Sequence, residues 1–270
     1  MNPLWLMLGT LTAIRVPAPD HVDRGVAGRA MALAPLGGLV LAVLTAVPLV
    51  VVTRLDLHLT AFPLTVLVLG ALALLTRGMH LDGLADTADG LGSGRRDEAA
   101  LQVMKQSDIG PFGVATVVLV LLLQAALLTQ AIGYGVGAPV LLIALVVSRG
   151  VLPLLCTGPF PGARPDGLGA TVARSVTGGL LAGSLALCAG LVVVTVLLAA
   201  NWSAGLDGWA SGLDFDDAVQ LLVMAPLGLV PGVLLAVRAR NRFGGVTGDV
   251  HGAAVEVTFT ATLLACLLPL

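Results

Sequence analysis

The sequence predicts an all-α fold, a polytopic transmembrane helical bundle with about seven spans. Three observations carry that prediction. First, 57% of the 270 residues are apolar, and the 34 glycines raise that share to roughly 70%, against about 45–50% in an average soluble domain. Second, only 11% of residues are charged, against about 25% ordinarily, so too little polar surface remains to wet a globule of this size. Third, apolar runs recur that reach or approach the ~20 residues a helix needs to cross a bilayer. Together they exclude an ordinary soluble enzyme and a disordered chain. The net charge of −2, with 14 Lys and Arg, leaves no basic footprint, so no nucleic-acid partner is expected. Residues 1–270 are expected to form one integral membrane domain, with the lipid bilayer as a partner.

The elements follow in order. Met1 to Ile14 is apolar but too short to span, and it lacks the basic start and the A-x-A-like site of a signal peptide. Residues 1–29 are therefore expected at the interface or in the cytoplasm. Spans are expected near 30–53, 59–77, 113–132, 137–156, 176–200, 219–238 and 253–270. Pro35, Pro48, Pro63 and Pro153 fall within or near them, which membrane helices tolerate when neighbours satisfy the freed carbonyls. The short gaps at 54–58 and 133–136 close two helical hairpins. Loops are expected at about 78–112, 157–175 and 239–252 on one side. On the other, 201–218 carries Asp207, Asp214, Asp216 and Asp217 without Lys or Arg, and Trp202 and Trp209 suit headgroup anchors. Cys156, Cys188 and Cys266 lie in apolar runs without metal-type spacing and read as small buried hydrophobes.

The positive charges orient the bundle. Arg15, Arg24, Arg29, Arg77, Arg95, Arg96, Lys105, Arg149, Arg164, Arg174, Arg238, Arg240 and Arg242 fall on the side that holds 1–29, 78–112, 157–175 and 239–252, and only Arg54 on the other. By the positive-inside rule the first side is cytoplasmic. A multi-pass protein of the cell's inner (cytoplasmic) membrane, its motif loops cytoplasmic, is expected.

Three motifs on that side carry chemistry. In His80-Leu-Asp-Gly-Leu-Ala-Asp-Thr-Ala-Asp-Gly90, Asp82, Asp86 and Asp89 are spaced i, i+4, i+7, which sets three carboxylates on one helical face. Like charges at that spacing repel unless a cation joins them, and Mg²⁺ is a hard cation that takes oxygen ligands and shares them with substrate phosphates. A solvated loop with Asp82 as an N-cap is the plainer reading. In Met104-Lys105-Gln-Ser-Asp-Ile-Gly-Pro-Phe-Gly113, a turn leads into a span and Lys105 can meet a phosphate, and the plainer reading is Ser107 or Asp108 as a cap of the helix. In Arg240-Asn-Arg242-Phe-Gly244-Gly245-Val-Thr247-Gly-Asp249-Val-His251-Gly252, glycine-rich backbone before a helix offers N–H groups to an anion, and Arg240 and Arg242 can clamp phosphate. Against this, Asp249 reads as an N-cap and the arginines as topology anchors. Glu256 lies seven residues beyond Asp249, two turns along one face and about 10 Å into the helix, where an ionisable group is a functional hypothesis by default. Arg149 with Ser148, and Arg164-Pro-Asp166-Gly-Leu-Gly169, are weaker candidates, since a lone Arg near a helix end usually snorkels. His21 and His58 read as incidental. Acidic residues, glycine turns and arginines on one face suggest Mg²⁺-assisted chemistry on a phosphate or diphosphate.

These motifs resemble a known family. The stretch His80–Gly90 resembles the signature of the adenosylcobinamide-GDP ribazoletransferases, also called cobalamin synthases. The likeness extends through Met104-Lys105…Ile109–Gly113 and Gly244–Asp249…Gly252-Ala-Ala…Glu256, and the opening Leu11-Thr-Ala-Ile-Arg15-Val-Pro17 is similar too, so it covers almost the whole chain. Gln106, Asp108 and the neighbourhood of Phe259 depart from the family pattern and are poor catalytic positions here. The resemblance implies Mg²⁺-dependent transfer of the phosphocobinamide part of adenosylcobinamide-GDP to α-ribazole or its 5′-phosphate, with GMP leaving. It implies Asp82, Asp86 and Asp89 as metal ligands, and Asp82, Asp249, His251 and Glu256 as catalytic candidates. His80, Lys105, Arg240, Arg242, Gly244, Gly245 and Thr247 would bind substrate, and a homo-oligomer is compatible with the pattern. Two other readings compete. A CDP-alcohol phosphotransferase-like lipid enzyme also gathers Asp residues at helix ends, but Asp86 interrupts the Ala-Arg step its pattern requires. A secondary transporter would place its ionisable groups near the midplane, not at one face.

Overall fold

The computed structural model describes residues 2–17, 22–55, 59–202 and 215–268. His21, His58, Asp207, Trp209 and Asp214 lie outside those residues. The described residues are almost all helical and hold no strand beyond a single bridge between Gly162 and Val246. The helices are α1 (Pro3–Leu11), α2 (Arg24–Ala32), α3 (Ala34–Arg54), α4 (Ala61–Leu75), α5 (Met79–Gly92), α6 (Asp97–Val103), α7 (Pro111–Gly133), α8 (Gly137–Leu155), α9 (Gly167–Val172), α10 (Gly178–Trp202), α11 (Phe215–Met224), α12 (Leu229–Phe243) and α13 (Gly248–Leu267). A 3₁₀ turn at Ala225–Gly228, carrying Pro226, joins α11 to α12 into one long apolar segment.

Six of the described segments are long and apolar enough to cross a membrane, or seven if the bent pair α4–α5 counts as one span. The apolar-run reading therefore holds for the polytopic bundle, and the run at 59–77 is the one span that is broken, passing only together with the bent α5. α4 has 15 residues, about 22 Å at 1.5 Å per residue, short of the ~30 Å hydrocarbon core. The chain then turns by 87° into α5. The turn has local causes. Thr76 donates its hydroxyl back to the Leu72 carbonyl at 2.8 Å. Arg77 and Gly78 take φ of 58° and 65°, a left-handed step that no helix continues through. Arg77 then reaches the Gly9 carbonyl at 2.9 Å, tying α1 to the bend. A correction concerns 78–112, expected as a loop, which is helical over α5 and α6.

Burial divides the helices into an inner pair and an outer ring. α8 and α13 are mostly buried, whereas α7, α10 and the α11–α12 segment keep most of their surface exposed. Val47, Leu67, Leu119, Leu122, Leu198 and Leu234 stand outward, as a bilayer-facing ring requires. One buried cluster joins the middles of α3, α4, α7, α8, α10 and α13. A second joins α1, α2, α6, the end of α8, α12 and the start of α13. The site opens off this second cluster.

Candidate active site

Two helices supply the carboxylates. α5 crosses the start of α13 so closely that a β-carbon on Gly83 would lie 2.6 Å from the Asp249 carbonyl oxygen and 3.0 Å from its Cα. Only glycine permits this approach, and it sets Asp82 and Asp86 of α5 against Asp249 of α13. Thr247, not Asp249, caps α13: its Oγ1 accepts from the Val250 N–H at 3.3 Å. The same hydroxyl donates to Asp249 Oδ2 at 3.1 Å and holds that carboxylate toward α5. α5 runs across the direction of α4 and does not extend the crossing. There Asp86, half-buried, is pushed up to about 7, first by burial and then by the charges of Asp249, Asp82 and Asp89, with Arg164 opposing. Like charges converge here with little to neutralise them.

Arg164 reaches this cluster through a splice of two loops. The Ala163 N–H donates to the Val246 carbonyl at 2.9 Å, and the Val246 N–H to the Pro161 carbonyl at 2.8 Å. The turn that makes this possible needs Gly244, at φ 78°, and Gly245, where a β-carbon would sit 2.6 Å from both the Ala163 nitrogen and the Pro161 oxygen. The two glycines shape and pack the loop. Arg164 then lies 3.9 Å from Asp249 Oδ2 and donates to the Leu101 carbonyl at 3.1 Å.

Asp82, Asp249 and Arg164, but not Asp86, line a cavity of about 280 Å³. Asp82, Asp249, Arg164 and Asp166 stand at its charged end, with His80, Thr247 and His251 on the walls. The two histidines present opposite tautomers. His251 Nδ1 lies 2.6 Å from the Thr247 carbonyl, an acceptor, so the proton is on Nδ1 and Nε2 accepts from the Cys156 thiol at 3.7 Å. His80 Nδ1 faces Arg149 at 3.5 Å, and arginine only donates, so His80 carries its proton on Nε2.

Other residues singled out in the sequence stand apart. Asp89 is buried and turned to α7, its two oxygens accepting from the Gly110 N–H at 2.7 Å and the Gly113 N–H at 2.9 Å. It caps the positive end of that helix, and this explains the Gly-Pro-Phe-Gly turn. Glu256 does not line the cavity; it accepts from Gln124 Nε2 at 2.9 Å and borders a second, much smaller cavity with Arg149. Lys105 is exposed after α6 and lines neither cavity. Arg240 stacks over Phe160 at 5.9 Å and donates to the Pro159 carbonyl at 3.3 Å. Arg242 is partly buried beside it in sequence and also outside the cavity lining. Two residues ranked low from sequence matter more. Arg164 and Asp166 join the site, and the only sequence signal was their place in a glycine-rich loop. Arg149 does not snorkel: it is 3% exposed, donates to Ser148 Oγ at 2.9 Å and backs His80.

Comparison with known proteins bears on this site. A family model described as cobalamin-5-phosphate synthase matches residues 3–267. A protein of Frankia casuarinae named adenosylcobinamide-GDP ribazoletransferase is 41% identical, over 94% of this chain and 90% of its own length. Proteins of the same name from Nocardioides sp. and Pseudomonas putida are 40% and 33% identical, covering 98% and 100% of both partners. No solved structure matches the chain. A helical membrane bundle with a carboxylate-lined cavity, matched over nearly its whole length, thus belongs to the cobalamin-5-phosphate synthase family, transferases of cobalamin biosynthesis.

Proposed function

We propose that the chain transfers the phosphocobinamide part of adenosylcobinamide-GDP to the ribose hydroxyl of α-ribazole or its 5′-phosphate, releasing GMP, with Mg²⁺ required. The observation that carries this reading is the meeting of Asp82 and Asp249, with Asp86 within electrostatic reach of both, at a cavity also lined by His251 and Arg164. Names of relatives supply the substrates, and the site supplies fitting chemistry.

The fit to Mg²⁺ rests on the donors. Among the described residues, no three His, Cys, Asp or Glu side chains gather closely enough to enclose a metal ion. Mg²⁺ needs no such cage, since it commonly takes one or two carboxylates and completes its shell with water and substrate phosphate. Asp82 and Asp249 would hold it, with the Asp86 carboxylate close by, and bound there it would neutralise charge developing on the departing GMP phosphate. Asp89, with both oxygens committed to α7, supports this set from behind. His251, proton on Nδ1, would serve through Nε2 as the base for the attacking hydroxyl once that hydroxyl replaces the Cys156 thiol as its donor. Arg164 offers a guanidinium to a non-bridging phosphate oxygen. His80 offers its Nε2–H. Glu256, Lys105, Arg240 and Arg242 act outside this cavity, the arginines as charges near its approach.

The bond bookkeeping is simple. The hydroxyl oxygen bonds to the phosphorus nearer cobinamide, the bridging P–O bond breaks, the hydroxyl proton goes to the base, and GMP carries away the bridging oxygen. We place this mouth on the cytoplasmic face of the inner membrane, on the strength of the arginine distribution. The test is direct. Purified protein in detergent or liposomes, given both substrates, should release GMP and form the cobalamin product only with Mg²⁺. Asp82→Asn should abolish turnover without loss of fold. Full turnover by a well-folded Asp82→Asn protein would overturn the site assignment. Activity on a CDP-activated lipid alcohol instead would overturn the substrate assignment.

A further inference from the structure

The cavity is not uniform, and its gradient says which part of which substrate goes where. Asp82 and Asp166 are exposed at one end, with Arg164 and Asp249 about a quarter exposed beside them. The lining also includes Leu11 of α1, Met31 of α2, Leu152 of α8, Val172 of α9 and Val246, all between 1% and 4% exposed and all part of the second buried cluster. The exposed charged residues therefore mark the mouth, and the buried aliphatic ones the floor. Polar groups near the floor have their hydrogen bonds turned inward. Thr10 donates to the Leu6 carbonyl at 2.6 Å, and His251 Nδ1 to Thr247.

We propose that this aliphatic floor is the binding site for the benzimidazole base of the acceptor nucleoside, with the ribose hydroxyl lifted to the carboxylates and the corrin ring held outside the mouth. The inference rests on the transferase reading above. Size supports it first. At about 280 Å³ the cavity falls just below the ~300–1,000 Å³ range of small-molecule sites, enough for a bicyclic base and far too little for a corrin macrocycle. Chemistry decides between the two bases available. Guanine brings N–H donors and a carbonyl that would be stripped of water against leucine, valine and methionine side chains, and the floor has no carboxylate to receive them. A glycosylated dimethylbenzimidazole has no N–H, one acceptor nitrogen and two methyl groups. It loses little on entering such a floor, methionine sulfur packs well on an aromatic face, and His80 keeps an Nε2–H for the acceptor. One consequence is order: the acceptor enters first, and the phosphocobinamide donor closes the mouth behind it.

Equilibrium binding of α-ribazole to the purified protein, followed by the base's fluorescence, tests this without turnover. The parent protein should bind α-ribazole, and the analogue lacking both methyls should bind roughly 10-fold more weakly. Val172→Thr, which keeps shape and adds a hydroxyl, should weaken α-ribazole binding roughly 10-fold while leaving the KM for adenosylcobinamide-GDP unchanged. Thermal unfolding of the variant controls for folding, and Met31→Gln should repeat the pattern. Absence of α-ribazole binding, or binding indifferent to both the methyls and Val172→Thr, overturns the inference. A KM increase confined to the GDP substrate, with GMP displacing α-ribazole, also overturns it and seats guanine on the floor. Methyl-dependent binding without GMP release would leave the subsite standing and sink the transfer reaction instead, so the two failures separate.

Discussion

Replacing Gly83 by alanine is the sharpest test of how the site is built. The added β-carbon would stand 2.6 Å from the Asp249 carbonyl oxygen, where ordinary contact begins at 3.4 Å. The obstruction is backbone, so no side chain can swing aside, and α5 and α13 must separate by about 0.8 Å. That separation would carry Asp82 and Asp86 on α5 away from Asp249 on α13. Two opposing effects act on stability. Alanine favours a helix over glycine by about 1 kcal/mol, and forced overpacking costs about 1–3 kcal/mol, so the net change is a modest loss of about 0–2 kcal/mol. Catalysis is less forgiving, because a displacement near 1 Å can cost on the order of 10²-fold in rate. Gly83→Ala should therefore stay folded, lose roughly 100-fold in kcat and need more Mg²⁺. Gly70→Ala in α4, where nothing lies within 4 Å, is the matched control and should be neutral. The assay is Mg²⁺-dependent GMP release, with thermal unfolding in detergent alongside. If Gly83→Ala turned over within twofold of the parent at the same Mg²⁺ requirement, the α5–α13 crossing would not set the metal site and the reasoning would fail.

Three further outcomes are expected. Asp89→Asn keeps one acceptor but turns an amide N–H₂ toward the N–H groups of Gly110 or Gly113, so it should cost about 2–3 kcal/mol in unfolding experiments, while leaving a folded fraction with much of its activity. Glu256→Gln retains an acceptor for Gln124 and lies outside the cavity, so kcat should stay within a few-fold of the parent; loss beyond 10³-fold would restore Glu256 to the chemistry. Arg164→Ala removes the guanidinium 3.9 Å from Asp249, and kcat/KM for the GDP substrate should fall by 10-fold or more, whereas Lys105→Ala should change it little.

Much of the architecture was legible because it depends on local properties. Bilayer thickness sets how long an apolar run must be, so the runs in α3, α7, α8, α10, α12 and α13 could be counted without knowing their neighbours. The run at 59–77 was legible only in part for the same reason: hydropathy does not register the left-handed step at Arg77 and Gly78 that bends it. Tyr134-Gly135, by contrast, closes its hairpin where the glycine said it would.

The acidic signature shows where local reading ends. Its spacing correctly placed Asp82, Asp86 and Asp89 on one stripe of one helix. A seven-residue stripe is about 10 Å long, however, and its two ends meet different partners. At one end α13 brings Asp249, more than 160 residues away, and the 162–164 splice brings Arg164. At the other, the start of α7 claims Asp89 with two backbone N–H groups. The same divergence parts Asp249 from Glu256, which share a face of α13 but look toward α5 and α7. Periodicity determined which side chains could point together. Helix crossings, through Gly83 against Asp249 and through the loop splice at Val246, decided what they point at, because contacts between distant segments depend on shape complementarity that no single segment encodes.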